Sequence, residues 1–460
     1  MTRLFGTDGI RGRAGQFPLD AATIEVLGAS VARQLQILTS KSEPVIVIGR
    51  DTRESGSWIE RAFCAGAVRA GASCHSAGVI TTPGVAFLAR TLPADAGVVI
   101  SASHNPYQDN GIKIFSPSGK KLDDAVERLI EADLNNPSAA HEHCGEASAP
   151  VRSSESQELQ KRYLDFLSEE IARDLNLTNL KIVVDCANGA ASDLAPELFR
   201  RLGATIIAIN NKPDGRNINY NCGSLHIEGL QKTVVEEGAD FGVAFDGDAD
   251  RALFVDSRGT FVDGDATLWV LAKNLQNRGK LNHGIVVATV MSNIGLEIAL
   301  QSKGIRLVRK DVGDKYVLEE LLRSGTSLGG EQSGHVILPE LSLAGDGMIT
   351  TLCLLRAMAD EGQPLDRLIE GFKRYPQVLV NVSVTEKPPF EQLPDVQKTA
   401  KEIESLLGDR GRLLLRYSGT ERLARVMIEG ENQALIDEQA NRLAQAIKDA
   451  IGVEVWTNQQ

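Results

Sequence analysis

The chain has 460 residues, too many for a single hydrophobic core and enough for roughly three domains of ordinary size. Its 49 basic and 61 acidic side chains leave a net charge of −12, which opposes loose attraction to nucleic acid or to an anionic membrane surface. At 42% apolar and 24% charged, with no apolar run long enough to span a bilayer and none of signal-peptide length at the start, the chain is expected to be a globular cytoplasmic protein.

Short β-branched runs recur along the chain, each ending in a small or polar cluster followed by a helix-like pattern. Such runs lie at Pro44 to Gly49, Leu180 to Val184 and Gly284 to Val290, and a buried strand followed by a loop and a helix is the mark of α/β architecture. Three similar units are expected to begin near residues 1, 155 and 258, an echo of architecture without a clean sequence repeat. Residues 135–157, poor in large apolar side chains, read as a linker between the first two units. Within the linker, His141 and His143 beside Cys144 lack the framework of a metal site and read as solvated. From about Pro376 the pattern changes. Strands at Val378 to Val384, Leu413 to Arg416 and Ala424 to Glu429 alternate with helical stretches at 395–407 and 432–451, as in a small α+β domain. The six cysteines form no Cys-x-x-Cys pair, so buried reduced thiols are expected rather than zinc or redox chemistry.

The most telling segment is Phe241 to Arg251, where an apolar run enters a loop carrying Asp246, Asp248 and Asp250 at i, i+2 and i+4. Three carboxylates so spaced can converge on one hard cation. A calcium-binding EF-hand loop would need Gly at its sixth position and Glu at its twelfth, where this chain has Arg251 and Ser257. Mg²⁺ takes few protein carboxylates and completes its shell with phosphate and water, so this loop anticipates a phosphate oxygen. A second buried run, Gly97 to Ile100, enters a loop with Ser101, Ser103, His104 and, further on, Lys113. Ser103 does not sit in the Gly-x-Ser-x-Gly elbow of a serine hydrolase, so a phosphorylated serine is the sharper reading. Two later loops suit a small polar ligand. Glu331, Ser333 and His335 lie in glycine-rich backbone fit to bond sugar hydroxyls, and Arg416, Ser418, Gly419 and Thr420 combine a guanidinium, hydroxyls and flexible amides into a phosphate cradle.

Together the segments resemble the α-D-phosphohexomutase superfamily, and within it the phosphoglucosamine mutase branch, over essentially the whole chain. Six motifs carry the resemblance in family order: FGTDGIRG from Phe5 to Gly12, GRDTR from Gly49 to Arg53, SASHNP from Ser101 to Pro106, DGDADR from Asp246 to Arg251, GEQSGH from Gly330 to His335, and RYSGTE from Arg416 to Glu421. Gln332 is the residue typical of the aminosugar branch, where phosphomannomutase and phosphoglucomutase relatives often carry Met. Arg422 stands where relatives usually have Pro, adding a charge and removing a φ restraint.

The resemblance implies three similar α/β domains with mixed sheets (1–154, 155–257 and 258–372) and a smaller C-terminal α+β domain (373–460) around one central cleft. It further implies that Ser103 carries a phosphoryl group and that Asp246, Asp248 and Asp250 hold Mg²⁺ together with a phosphoserine oxygen. Arg11, Arg251 and Lys113 would face the transferring phosphate, and Lys113 or His104 would move protons. The expected reaction interconverts glucosamine 6-phosphate and glucosamine 1-phosphate through glucosamine 1,6-bisphosphate, which serves as activator and intermediate. Arg50 and Arg416 are expected to add local positive charge for a dianionic sugar. The partner is a small phosphosugar, with no nucleic acid or membrane and a homodimer as the assembly to test. The alternatives are a phosphomannomutase/phosphoglucomutase of the same superfamily, a dehalogenase-like phosphatase using Asp246 as nucleophile, and a non-catalytic phosphosugar sensor.

Overall fold

The structure is a computed structural model that describes residues 4–6, 8–135, 153–419 and 421–453; the His141/His143/Cys144 segment and Thr420 lie outside the described residues. Two compact units are present, one of residues 1–289 with 310–369 and the other of residues 290–309 with 370–460.

The first unit contains mixed sheets. In the first sheet, β1 (Phe5–Gly6), β2 (Gly9–Arg13), β3 (Val45–Arg50), β4 (Ser73–Val79), β5 (Ala96–Ile100) and β6 (Asp109–Phe115) lie in the order β1-β2-β6-β5-β3-β4. The β3 strand is parallel to β4 and β5, whereas β6 runs antiparallel to both β5 and β2. The second sheet orders β7 (Lys181–Asp185), β8 (Thr205–Ile209), β9 (Phe241–Phe245), β10 (Ala252–Asp256) and β11 (Phe261–Val262) as β11-β10-β9-β7-β8. Here too the central β7 has parallel neighbours, while β9 is followed by an antiparallel partner. After β12 (Ile285–Thr289) and β13 (Arg306–Lys310), β14 (Gly329–Gly330) pairs parallel with β12 and antiparallel with β15 (Val336–Ile337).

Every residue of β5 and β9 is buried, as expected for apolar runs covered on both faces. Neither strand is followed by the helix that a simple strand-loop-helix reading expects. Each returns directly as an antiparallel strand, so residues 101–108 and 246–251 are the tips of two similarly placed hairpins. Residues 153–157, read as linker, form the start of the helix Ser153–Asp165. Its polar composition hid a docked element: Ser156 Oγ donates to Ser76 O at 2.8 Å, Gln160 Nε2 to Ala77 O at 2.9 Å, and Glu155 pairs with His75.

The second unit is a three-stranded antiparallel sheet, β16 (Gln377–Ser383), β18 (Leu423–Glu429) and β17 (Arg412–Tyr417), with β18 central. Helices Pro394–Leu407 and Gln433–Ile451 cover it through Val396, Ile403, Ile436, Leu443 and Ile447. The helix Ile294–Gln301 joins this unit through the buried Glu429, which accepts from Ile294 N at 3.1 Å and pairs with Arg412 at 2.9 Å. The five described cysteines are free thiols; Cys186 and Cys222 are buried, and Cys64, Cys74 and Cys353 are only partly so. No helix of the described residues is long and apolar enough to cross a membrane.

The helices Ala21–Thr39 and Gly56–Arg69 cross backbone to backbone in the first core. A Cβ at Gly66 would stand 1.9 Å from Glu25 O, and one at Gly28 would stand 2.1 Å from Phe63 O. Gly66→Ala should therefore lower stability by about 3 kcal/mol or more despite alanine's better helix propensity. Gly229, in open space on the helix Glu228–Glu236, should gain about 0.5 kcal/mol on the same change. Denaturant midpoints of the two variants check the contrast.

Candidate active site

The two hairpin tips meet. Ser103, buried at the end of the β5 loop with a left-handed φ of 52°, donates its hydroxyl to Asp246 Oδ2 at 2.5 Å. Asp246, Asp248 and Asp250 are all buried, and one oxygen from each lies within 4.8 Å of the others. Burial, followed by the charges of Asp250 and Asp248, pushes the Asp246 carboxyl well above the carboxylate range. Burial would raise Asp250 too, but Lys113, His335 and Arg251 outweigh it and hold that carboxyl well below its ordinary value. Asp248 Oδ2 accepts from Thr82 Oγ1 at 2.5 Å and from Lys113 at 2.9 Å, while Asp248 Oδ1 and Asp250 Oδ1 are buried and accept no hydrogen bond. Converging hard oxygens with two acceptor atoms still unused fit a divalent cation.

Lys113 is the main countercharge. It is buried, 2.9 Å from Asp248, 3.5 Å from Asp250 and 3.2 Å from Asp8. Burial would favour the neutral amine, but these three carboxylates hold Lys113 protonated, well above its usual range. His104 is the opposite case. Its Nδ1 is 3.3 Å from Ser103 Oγ, and burial, aided by Arg251 and Arg11, lowers it to about 4, so the ring is neutral at pH 7. His335 is pushed up to about 9: burial alone would lower it, and the charges of Asp250, Asp314 and Glu331 outweigh that effect.

A cavity of about 470 Å³ opens beside these groups, with Asp8, Arg11, His104, Asp250, Arg251, Asp314, Glu331 and His335 on its wall. The Nε atoms of Arg11 and Arg251 are buried without a hydrogen-bond acceptor. Ser333 Oγ donates to Glu331 Oε2 at 3.2 Å, and Gly313 N donates to Glu331 Oε1 at 3.1 Å, which fixes that carboxylate. The loop sits where it does because Gly264 lacks a side chain: a Cβ there would meet Glu331 O at 2.0 Å.

The structure thus brings together Ser103, His104, Lys113, Arg11, Arg251, Asp246, Asp248, Asp250, Glu331, Ser333 and His335. Arg50 is not among them, because its Nε bonds Glu60 Oε2 at 2.9 Å inside the first domain. Gln332 turns its amide toward Asp265 at 3.2 Å and Asp263 at 3.4 Å, at the start of the helix Gly264–Asn277, and so ties the loop of Glu331 and Ser333 to that helix. Arg416, Ser418 and Gly419 belong to the second unit, where Ser418 O accepts from Lys387 at 2.6 Å and Ser418 Oγ from Glu421 N at 3.3 Å. Arg422 is exposed and its carbonyl accepts from Val384 N at 3.0 Å. The pentapeptide Gly325 to Gly329 has the Gly-x-Ser-x-Gly spacing, but it leads from a helix into β14, and its Ser327 is buried and bonded to Asn282 N at 3.1 Å.

Reading the residues alone missed Asp8, Lys121, Asp314 and Thr82. Asp8 lies against Lys113, Lys121 and Arg11, whose charges outweigh its burial and hold its carboxyl well below the usual range. Lys121 bridges Asp8 and Asp314 at 2.7 Å each. Asp8 lies in the FGTDGIRG motif, three residues before Arg11, which was the available signal; Lys121, Asp314 and Thr82 belong to none of the six motifs.

The chain matches the phosphoglucomutase/phosphomannomutase family in all four of its domain descriptions: alpha/beta/alpha domain I over residues 2–141, domain II over 161–259, domain III over 263–375, and the C-terminal domain over 379–446. It therefore belongs to this family of phosphohexomutases, which are isomerases. Within the family its relatives are consistent. It is 50% identical to the phosphoglucosamine mutase of Solibacter usitatus over 98% of this chain and 99% of that one, and 47% identical to the phosphoglucosamine mutase of Proteus mirabilis over 97% and 98%. The fold is also that of a phosphoglucomutase/phosphomannomutase family protein from Burkholderia thailandensis, with a TM-score of 0.79 at 24% identity over 98% of this chain and 99% of that one.

If the three aspartates hold a catalytic cation, Asp248→Asn should weaken Mg²⁺ binding, shifting the half-activation concentration upward by about tenfold or more. An activity titration in Mg²⁺ measures it; an unchanged midpoint would make these carboxylates structural.

Proposed function

We propose that this chain interconverts glucosamine 6-phosphate and glucosamine 1-phosphate, with a phosphoryl group carried on Ser103. The observation that carries the reading is the Ser103 hydroxyl at 2.5 Å from a buried carboxylate triad, beside a cavity walled by Arg11, Arg251 and Glu331. Asp246, Asp248 and Asp250, with an oxygen of the phosphoserine, would hold Mg²⁺. The cation would supply charge withdrawal from the transferring phosphoryl group.

In the first step the O1 hydroxyl of glucosamine 6-phosphate attacks the phosphorus of phosphoserine 103. The phosphorus–Oγ bond breaks, the hydroxyl loses its proton and Ser103 is left as the alcohol. Glucosamine 1,6-bisphosphate then turns over within the cleft, and Ser103 Oγ attacks its 6-phosphoryl group, releasing glucosamine 1-phosphate and restoring the phosphoserine. Phosphoryl transfer needs positioning and charge neutralisation more than covalent help, and Arg11, Arg251 and the permanently charged Lys113 supply it. Between Lys113 and His104, the neutral imidazole at 3.3 Å from Ser103 Oγ is the group able to accept a proton. Glu331, Ser333 and His335 bind sugar hydroxyls; Arg416, Ser418, Gly419 and Thr420 bind the phosphate that is not reacting. The product is the form that a nucleotidyl transfer toward UDP-N-acetylglucosamine and cell-wall precursors consumes. We read the enzyme as cytoplasmic, with a phosphosugar as its partner, no nucleic acid or membrane, and a homodimer as its assembly.

Ser103→Ala should abolish turnover while leaving the thermal midpoint unchanged; retained activity would remove the phosphoserine from the mechanism. Hydroxylamine treatment of the phosphorylated enzyme should leave the label in place, whereas loss of label would indicate an aspartyl phosphate. A coupled assay of glucosamine, glucose and mannose 6-phosphates, each with a trace of its bisphosphate, should favour the amino sugar. Gln332→Met should narrow that preference by about tenfold, since a misplaced sugar loop loses hydrogen bonds that distinguish substrates; identical rate ratios would remove Gln332 from selection.

A further inference from the structure

Resting on the reading that Ser103 carries the phosphoryl group, we propose that Arg53 is the positioning residue that aims it. Arg53 is buried under the serine loop, with side-chain exposure of 0% for both itself and its partner Asp51. A guanidinium has five N–H donors in a rigid fork, and here all five are used on this one loop and its anchor. Nε donates to Asp51 Oδ2 at 2.8 Å, Nη2 to Ser103 O at 2.9 Å and Asn105 O at 2.8 Å, and Nη1 to Asp109 O at 3.0 Å and to Pro106 O.

The same network closes on the other side of the serine. Asp51 Oδ2 also accepts from Ser101 Oγ at 2.6 Å, and Ser101 Oγ accepts from Ser103 N at 2.9 Å. Both backbone groups of Ser103 are thus tied to Arg53, one directly and one through Asp51 and Ser101. That matters because Ser103 stands at φ 52°, a left-handed conformation that a serine does not keep by preference, and it is in this conformation that Oγ reaches Asp246. A second clamp comes from the neighbouring domain, where Asn219 Nδ2 donates to Ser103 O at 2.8 Å and Asn105 O at 3.1 Å. Arg53 touches neither the sugar cavity nor the carboxylate triad through any hydrogen bond, so its effect passes through Ser103.

A positioning role predicts a loss in the chemical step without a loss in sugar binding. In the full-length enzyme, Arg53→Lys keeps the charge but not the fork. It should lower kcat by about 100-fold while KM for glucosamine 6-phosphate stays within about twofold, the pattern of a misplaced nucleophile. Asn219→Ala should lower kcat by about tenfold, the worth of a lost hydrogen bond pair, also at constant KM. Single-turnover transfer of phosphate from Ser103 to sugar, followed by intact mass, should slow in proportion. Parental kcat in Arg53→Lys, or a rise in KM matching the loss, would overturn the proposal. If Arg53→Lys does not fold, Asn219→Ala decides by the same criteria. Ser103→Ala run in parallel separates the two ideas: full activity there sinks the phosphoserine itself, whereas an inactive Ser103→Ala beside a fully active Arg53→Lys sinks only the positioning role.

Discussion

Three carboxylates buried at one point repel one another, and the rest of the site is arranged around that fact. At separations up to 4.8 Å and an effective dielectric of about 20, each pair of full charges repels by roughly 3 to 4 kcal/mol, so three pairs approach the whole stability of an ordinary domain. The chain answers in two ways. Lys113 is brought from β6 into contact with Asp248 and Asp250, and the Asp246 carboxyl is pushed toward its neutral form while Asp250 stays charged. Both are answers that a divalent cation could replace, and two carboxylate oxygens, Asp248 Oδ1 and Asp250 Oδ1, remain free of hydrogen bonds. An arrangement that is costly without a ligand and relieved by one is what a cation site requires.

Convergence of the parts depends on close backbone approach at the loop from Asp246 to Arg251. A Cβ at Gly247 would stand 2.5 Å from Ser103 O, and one at Gly334, where φ is 91°, would stand 2.4 Å from Ala252 O. Thr82 N donates to Asp248 O at 3.0 Å from the start of the helix Thr82–Thr91, and Gly347 N to Ala249 O at 3.0 Å from the start of the helix Gly347–Glu361. Helix N-termini carry partial positive charge, so two of them facing the acidic loop add to the work of Lys113. The serine loop, the loop of Glu331 and Ser333, and both helices therefore meet at one hairpin tip, whose residues hold the charge.

Much of this was legible in the sequence because the site is built from local patterns. The buried runs before Ser101 and Asp246 are strands β5 and β9 and the three aspartates converge, while the C-terminal strand and helix alternation is the antiparallel sheet with its two covering helices. What stayed hidden is long-range or polar. A strand that returns as a hairpin looks like one followed by a helix until its partner is known, because burial shapes the apolar run and pairing does not. The helix Ser153–Asp165 reads as linker because polar bonds to the β4 edge help seat it. Asp8, Lys121 and Asp314 form a bridge across residues more than a hundred positions apart, and Arg50 faces Glu60, which no spacing rule reveals.

Global charge and local charge part company here. A chain with a net charge of −12 is read as binding a sugar with two phosphates at its bisphosphate stage, so attraction has to be built at short range. Most of its surface basic groups are no help, since they are exposed or paired with carboxylates of their own. The cavity instead collects Arg11 and Arg251, each with a buried Nε lacking an acceptor, and keeps His335 charged. Asp8, Asp250, Asp314 and Glu331 line the same cavity, with Asp8 paired to Arg11, Asp250 beside Arg251 and His335, and Asp314 near His335, so each cation is held by a carboxylate neighbour. A wall of mixed sign, with unused donors set among carboxylates, attracts a phosphate at some positions and repels it at others. Such a wall suits the proposed bisphosphate intermediate, which would have to withdraw its 1-phosphate from Ser103 and present its 6-phosphate there instead.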